Sequence, residues 1–125
     1  MESLFISDWF WDIIERAGDS RDKLRSILSE MGKDEIYRFQ DEFLEAAAQL
    51  RDEPFSDLIY ASGESEDGLD DISKWVVSQG RHYYDAVLAN PESIPLRIDG
   101  RSHEILYGVA DEVYLERFGE LTGIY

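Results

Sequence analysis

Two stretches of this chain hold the residue types that chemistry needs. Residues 64–71, ESEDGLDD, contain Glu64, Glu66, Asp67, Asp70 and Asp71. Carboxylates at that density attract cations or a basic protein, and in a cleft they can share a proton. Residues 79–84, QGRHYY, set Gln79, Gly80, Arg81, His82, Tyr83 and Tyr84 side by side. With a carboxylate such as Glu112 brought near, Arg81, His82 and Tyr84 would make a small polar pocket, the arginine holding an anion and the glutamate serving as acid or base.

Each stretch also has a plainer explanation. An EF-hand alignment of the carboxylate loop fails, because placing Gly68 at the sixth position puts Gly63 first and Lys74 twelfth, where carboxylates belong. Acids at the positive end of a helix dipole account for the cluster without a metal. Carboxylates spaced four apart recur at Asp8 and Asp12, Asp41 and Glu45, Asp67 and Asp71, and Glu112 and Glu116, as so acidic a composition favours. His82 and His103 are the two histidines and fit no HxxxH or HExxH spacing; His82 with Asp85 supplies too few ligands. The chain has no cysteine, which removes thiolate nucleophiles, thiolate metal sites and disulfides. No serine stands in a nucleophile elbow. The residues therefore point to no catalytic group, no metal and no cofactor.

The elements that must position these residues read as helices. In DWFWDIIERA, Phe10, Ile13, Ile14 and Ala17 fall on one stripe, with Asp8 as cap and Gly18 as stop. A second helix carries Leu24, Ile27, Leu28 and Met31, capped by Asp19 or Ser20. A third runs from Asp34 to about Leu50 with Ile36, Phe39, Phe43 and Ala47 inward. Pro54 suits the first turn of a short helix that stops near Gly63. From Asp67 or Asp70 one long helix is expected to run to Pro91, its inner stripe being Ile72, Trp75, Val76, Gln79, Tyr83, Ala86 and Val87. Leu96 and Ile98 suggest a brief extended piece before a turn at Asp99 and Gly100. Ser102 then opens a last helix carrying Leu106, Val109, Ala110 and Val113. The expected architecture is all-α: a single compact orthogonal bundle of about five to six helices over residues 1–125.

A glycine inside a helix costs about 1 kcal/mol relative to alanine, so Gly80 within the long helix calls for close packing against another helix, or for a kink. Arg81 beside it is expected to pair with Glu112 or Asp111. Trp9 and Trp11 lie about 200° apart on a helix, so one of them must leave the core. That one, with Tyr84 or Phe5, would supply an aromatic anchor for a partner.

Three segments, DWFWDIIERA, SEDGLDDISKWVVSQGRHYYDAVLANPESI and ADEVYLERFGELTG, together resemble the bacterial domain-of-unknown-function family 4240. The resemblance rests on Phe10 and Trp11, then on Asp67, Gly68, Trp75, Gln79, Gly80, Arg81, Tyr84, Leu88 and Pro91, and finally on Ala110, Glu112, Tyr114, Thr122 and Gly123. Leu69 and Ile72 stand where the family would more usually have aromatics. The resemblance implies a compact helical domain and no established activity.

Composition narrows the partners. Hydrophobic residues at 43% and aromatics at 13% allow a folded core despite the charge. Twelve basic against 28 acidic side chains give a formal charge of −16, which disfavours direct binding to nucleic acid or anionic membranes. No apolar run approaches the ~20 residues of a membrane span, and the N-terminus has no basic leader region, so a cytoplasmic location is expected. The leading expectation is a non-enzymatic acidic module that binds a basic protein, such as an immunity or antitoxin-type partner of a cationic effector. Glu64, Glu66, Asp67, Asp70 and Asp71 would steer the encounter, with Trp9, Trp11 or Tyr84 as anchors. The alternative is a ligand-binding or catalytic pocket near Gly80, using Arg81, His82, Tyr84 and Glu112.

Overall fold

The computed structural model describes residues 6–99 and 102–125; Phe5 and Gly100 lie outside them. Within these residues the chain forms seven α-helices and no strand: α1 (Asp8–Ala17), α2 (Arg21–Ser29), α3 (Lys33–Gln49), α4 (Phe55–Ala61), α5 (Glu66–Ser78), α6 (Arg81–Ala89) and α7 (Val109–Phe118), with a 3₁₀ turn at Pro91–Ser93. Side-chain caps start three of them. Ser7, Ser20 and Ser65 accept the backbone N–H groups of Phe10, Lys23 and Gly68, so serines take the roles expected of Asp8 and of Asp67 or Asp70.

Helix α3 is the hub, packing against α1, α5 and α7, while α2 rests on α1 and α7, and α5 on α4 and α6. All seven helices contribute to one buried cluster. At its centre Phe10 lies 4.9 Å from Phe39 and 6.0 Å from Phe43, ring centroid to centroid. The stripes expected on α1 and α3 are the ones that are buried.

Two expected elements differ. The long helix from residue 67 to 90 is two helices, α5 and α6, broken at Gly80. There φ is +104° and ψ is 171°, a region open essentially to glycine alone. The break resets the helical register, so Tyr84 and Val87 face inward while Tyr83 and Ala86 are exposed. Gly80 is thus a helix terminator rather than a packing notch inside a helix.

Ser102 does not open the last helix, which starts only at Val109. The backbone between finds its partners elsewhere. The Leu106 N–H donates to Ser78 Oγ at 2.9 Å in the core, and Arg21 Nη1 donates to the carbonyls of Ile105 and Tyr107 at 2.7 and 2.9 Å. With those groups satisfied, the segment stays non-helical until Gly108, at φ +97°. Leu106 is fully buried all the same. Leu96 and Ile98 form no strand: Leu96 is exposed, and Ile98 packs on the core.

Candidate functional site

The contact between α1 and α6 gathers the QGR segment and the aromatic first helix. Because α6 begins at a glycine, it has no capping side chain of its own; instead Glu15 of α1 reaches across, its carboxylate accepting the Arg81 N–H at 3.3 Å. A carboxylate at a helix N-terminus also answers the positive end of the dipole. Arg81 returns the contact, its Nη1 lying 2.5 Å from Asp8 and its Nε 3.8 Å from Asp85. Beneath these groups the Trp11 and Tyr84 rings meet at 5.0 Å.

Above them runs a groove. One hollow in it, of about 560 Å³, is bordered by Asp8, Trp11, Asp12, Glu15, Arg81, His82 and Asp85. A second hollow, of about 220 Å³, shares Glu15 and is bordered also by Asp19, Gln79 and Gly80. Asp8, Asp12 and Glu15, at steps of four and three, share one edge of α1, and Asp19 follows just past the helix end at Gly18; all four are exposed. In the larger hollow four carboxylates face one guanidinium and one histidine.

The carboxylate loop is partly neutralised by its own surroundings, as Asp12 on α1 is by Arg16 at 3.7 Å. Asp70 sits between Arg51 at 3.3 Å and Lys74 at 2.8 Å, and Glu64 lies 3.9 Å from Arg97. Glu66 and Asp67 remain exposed in the first turn of α5. With Asp70 they border a hollow of about 300 Å³ that also takes in Arg51, Lys74, Tyr107 and Tyr125. Asp71 turns to a different cleft. Loss of water raises its pKa above the usual carboxylate value, the charges of Asp70, Asp67 and Glu64 add to the rise, and Lys74 opposes it.

The expected aromatic anchors are largely interior. Trp11 and Tyr84 are buried, and the Tyr84 hydroxyl donates to the Ala46 carbonyl at 2.8 Å. Trp9 is the tryptophan that leaves the core, yet it is half-covered by Arg38, whose guanidinium lies 4.4 Å from the ring centre. Nor do Arg81, His82, Tyr84 and Glu112 form one pocket. Arg81 and His82 edge the α1–α6 groove, Tyr84 is under it, and Glu112 on α7 pairs with Arg21 at 3.0 Å and with Arg25. The expected Arg81 pairing with Glu112 or Asp111 is replaced by Asp8, because α7 packs on α2 and α3 rather than on α6. Asp111 instead accepts the Thr122 N–H and hydroxyl.

Among the described residues no three His, Cys, Asp or Glu side chains are grouped to hold a metal ion. No helix there is long and apolar enough to cross a membrane.

A family model described as a protein of unknown function (DUF4240) matches residues 6–116, nearly the whole chain. The chain belongs to the DUF4240 family. No curated protein and no solved structure matches it. Within this DUF4240 chain, Trp11, Gly80, Arg81 and Tyr84, which carried the resemblance, converge at the α1–α6 contact. The acidic edge from Asp8 to Glu15 was legible as a spacing of four and three in the sequence. The groove it borders was not, since that depends on the break at Gly80.

Proposed function

We propose that this DUF4240 protein is a non-enzymatic binding module that docks a basic segment of a partner protein along the α1–α6 groove. The observation that carries the reading is the exposed edge of Asp8, Asp12 and Glu15, continued by Asp19, beside a concavity where carboxylates outnumber cations four to one. Arginines or lysines entering there meet acids held on a helix. Glu66 and Asp67 add to the long-range field that speeds the encounter. A cationic effector neutralised by an immunity or antitoxin-type protein is the most concrete partner of this chemistry.

The test is capture from the native lysate at low and high salt with three proteins: wild type, a groove variant (Asp12→Asn, Glu15→Gln, Asp19→Asn) and a loop variant (Glu66→Gln, Asp67→Asn). The side-chain amide introduced by Glu15→Gln can still accept the Arg81 N–H through its oxygen, so the groove variant keeps the helix contact. The expected result is a basic partner that wild type and the loop variant retain at low salt and the groove variant loses. A partner bound equally by all three, or indifferent to salt, overturns the reading.

A further inference from the structure

A second cleft, of about 350 Å³, lies between α2, α5 and the segment before α7, bordered by Arg21, Asp71, Lys74, Ser102, His103 and Tyr107. We infer that it is a binding site for a small oxyanion, a phosphate or carboxylate group, whose recognition is separate from the α1–α6 groove.

The argument rests on the hydrogen-bonding groups the cleft leaves unused. Lys74 Nζ has three N–H donors; Asp70 takes one, at 2.8 Å. The Tyr107 ring lies 3.8 Å to one side of the ammonium. Arg21 has five donors, of which Nη1 spends both on the carbonyls of Ile105 and Tyr107 and Nη2 gives one to Glu112 at 3.0 Å. Its Nε–H and second Nη2–H have no acceptor among the described residues. Ser102 Oγ accepts the Glu104 N–H at 3.1 Å, which leaves its own proton to donate. His103 is exposed, with no hydrogen bond or ion pair to a described residue.

Against these donors stands a single carboxylate, Asp71, itself without a hydrogen bond or ion pair among the described residues. Asp70 and Glu112 already pair with Lys74 and Arg21, so an oxyanion would be held here by the remaining directed N–H and O–H donors rather than by an excess of positive charge. The cations are also held in place, Arg21 by two backbone carbonyls and Lys74 by Asp70 and Tyr107, so an oxyanion would bind without first ordering them. Charge-assisted hydrogen bonds to such groups are the strong class.

The experiment uses the full ¹⁵N-labelled chain titrated to millimolar levels with inorganic phosphate and, separately, with acetate, ionic strength being held constant with chloride. Saturable shifts centred on the amides of residues 71, 74, 102 and 103 are expected. Lys74→Met should weaken binding by about tenfold, and Asp71→Asn should tighten it. His103→Ala, at an exposed position, should weaken binding by a smaller factor while leaving the fold intact. Stronger binding of phosphate identifies a phosphoryl ligand, and stronger binding of acetate a carboxylate. Absence of saturable shifts in the cleft with either anion overturns the inference. So does binding that Lys74→Met and His103→Ala both leave unchanged.

Discussion

Glu15 and Gly80 define each other: the Glu15 carboxylate occupies the space that a β-carbon at residue 80 would need, while the positive φ of Gly80 aims the Arg81 N–H at that carboxylate. Removing the Glu15 side-chain acceptor or adding a β-carbon at residue 80 disturbs how α1 meets α6. Gly80→Ala should therefore destabilise the protein, by about 1–3 kcal/mol from the backbone conformation alone, with a further loss from displacing Glu15. In the double variant Gly80→Ala, Glu15→Ala the displacement is relieved and the backbone strain stays, so its stability in urea unfolding should be higher than the sum of the single effects predicts. Strict additivity would show that the two residues act independently.

Ser78 anchors the segment before α7 through the buried Leu106 N–H. Ser78→Ala leaves that donor without its acceptor, and the expected loss is about 1–3 kcal/mol. Hydrogen exchange at the Leu106 amide should quicken by more than the global destabilisation explains. An unchanged unfolding midpoint would contradict the assigned role.

Tyr84 couples stability to alkaline pH. Burial raises its pKa above the ordinary 10.0, and the charge of Asp85 adds to the rise. The folded protein therefore holds the phenolic proton when the unfolded chain has released it. This contribution is complete below about pH 10 and is lost progressively as pH rises above it. Tyr84→Phe should lower stability by about 1 kcal/mol at neutral pH through the lost bond to Ala46, and it should flatten the alkaline decline. Equal slopes above about pH 10 for the two proteins would refute this.

Asp71 works in the opposite part of the pH scale. Its folded pKa is raised by loss of water and by neighbouring acids, so ionising it is harder in the folded protein than in the unfolded chain. The two states differ little at acid pH, where both are protonated, and the penalty appears as pH rises through the carboxylate range. Asp71→Asn should raise the melting temperature at neutral pH, the gain shrinking on acidification. A variant that melts lower than wild type at neutral pH would show that Asp71 has a favourable partner.

What the sequence determined by itself is the local, periodic part of this protein. Apolar residues at threes and fours on α1 and α3 name their buried faces, since an amphipathic helix carries its own inside and outside. Gly18 and the Ser20 cap mark ends for the same reason: the groups involved lie within a few residues of one another. The family resemblance likewise identified the residues that now meet at the α1–α6 contact. Tertiary structure alone decided what those residues touch. Gly80 looked like a helix interior because nothing nearby revealed that Glu15, far earlier in the chain, would cap a new helix there. Residues 102–108 looked helical because their alternative partners, Arg21 and Ser78, are remote in sequence. Arg81 found Asp8 instead of Glu112 because packing, which no spacing encodes, put α7 against α2 and α3. Local propensity is written in neighbouring residues, whereas the satisfaction of a buried donor or a charge depends on whichever chain segment the collapsed core brings within about 3 Å.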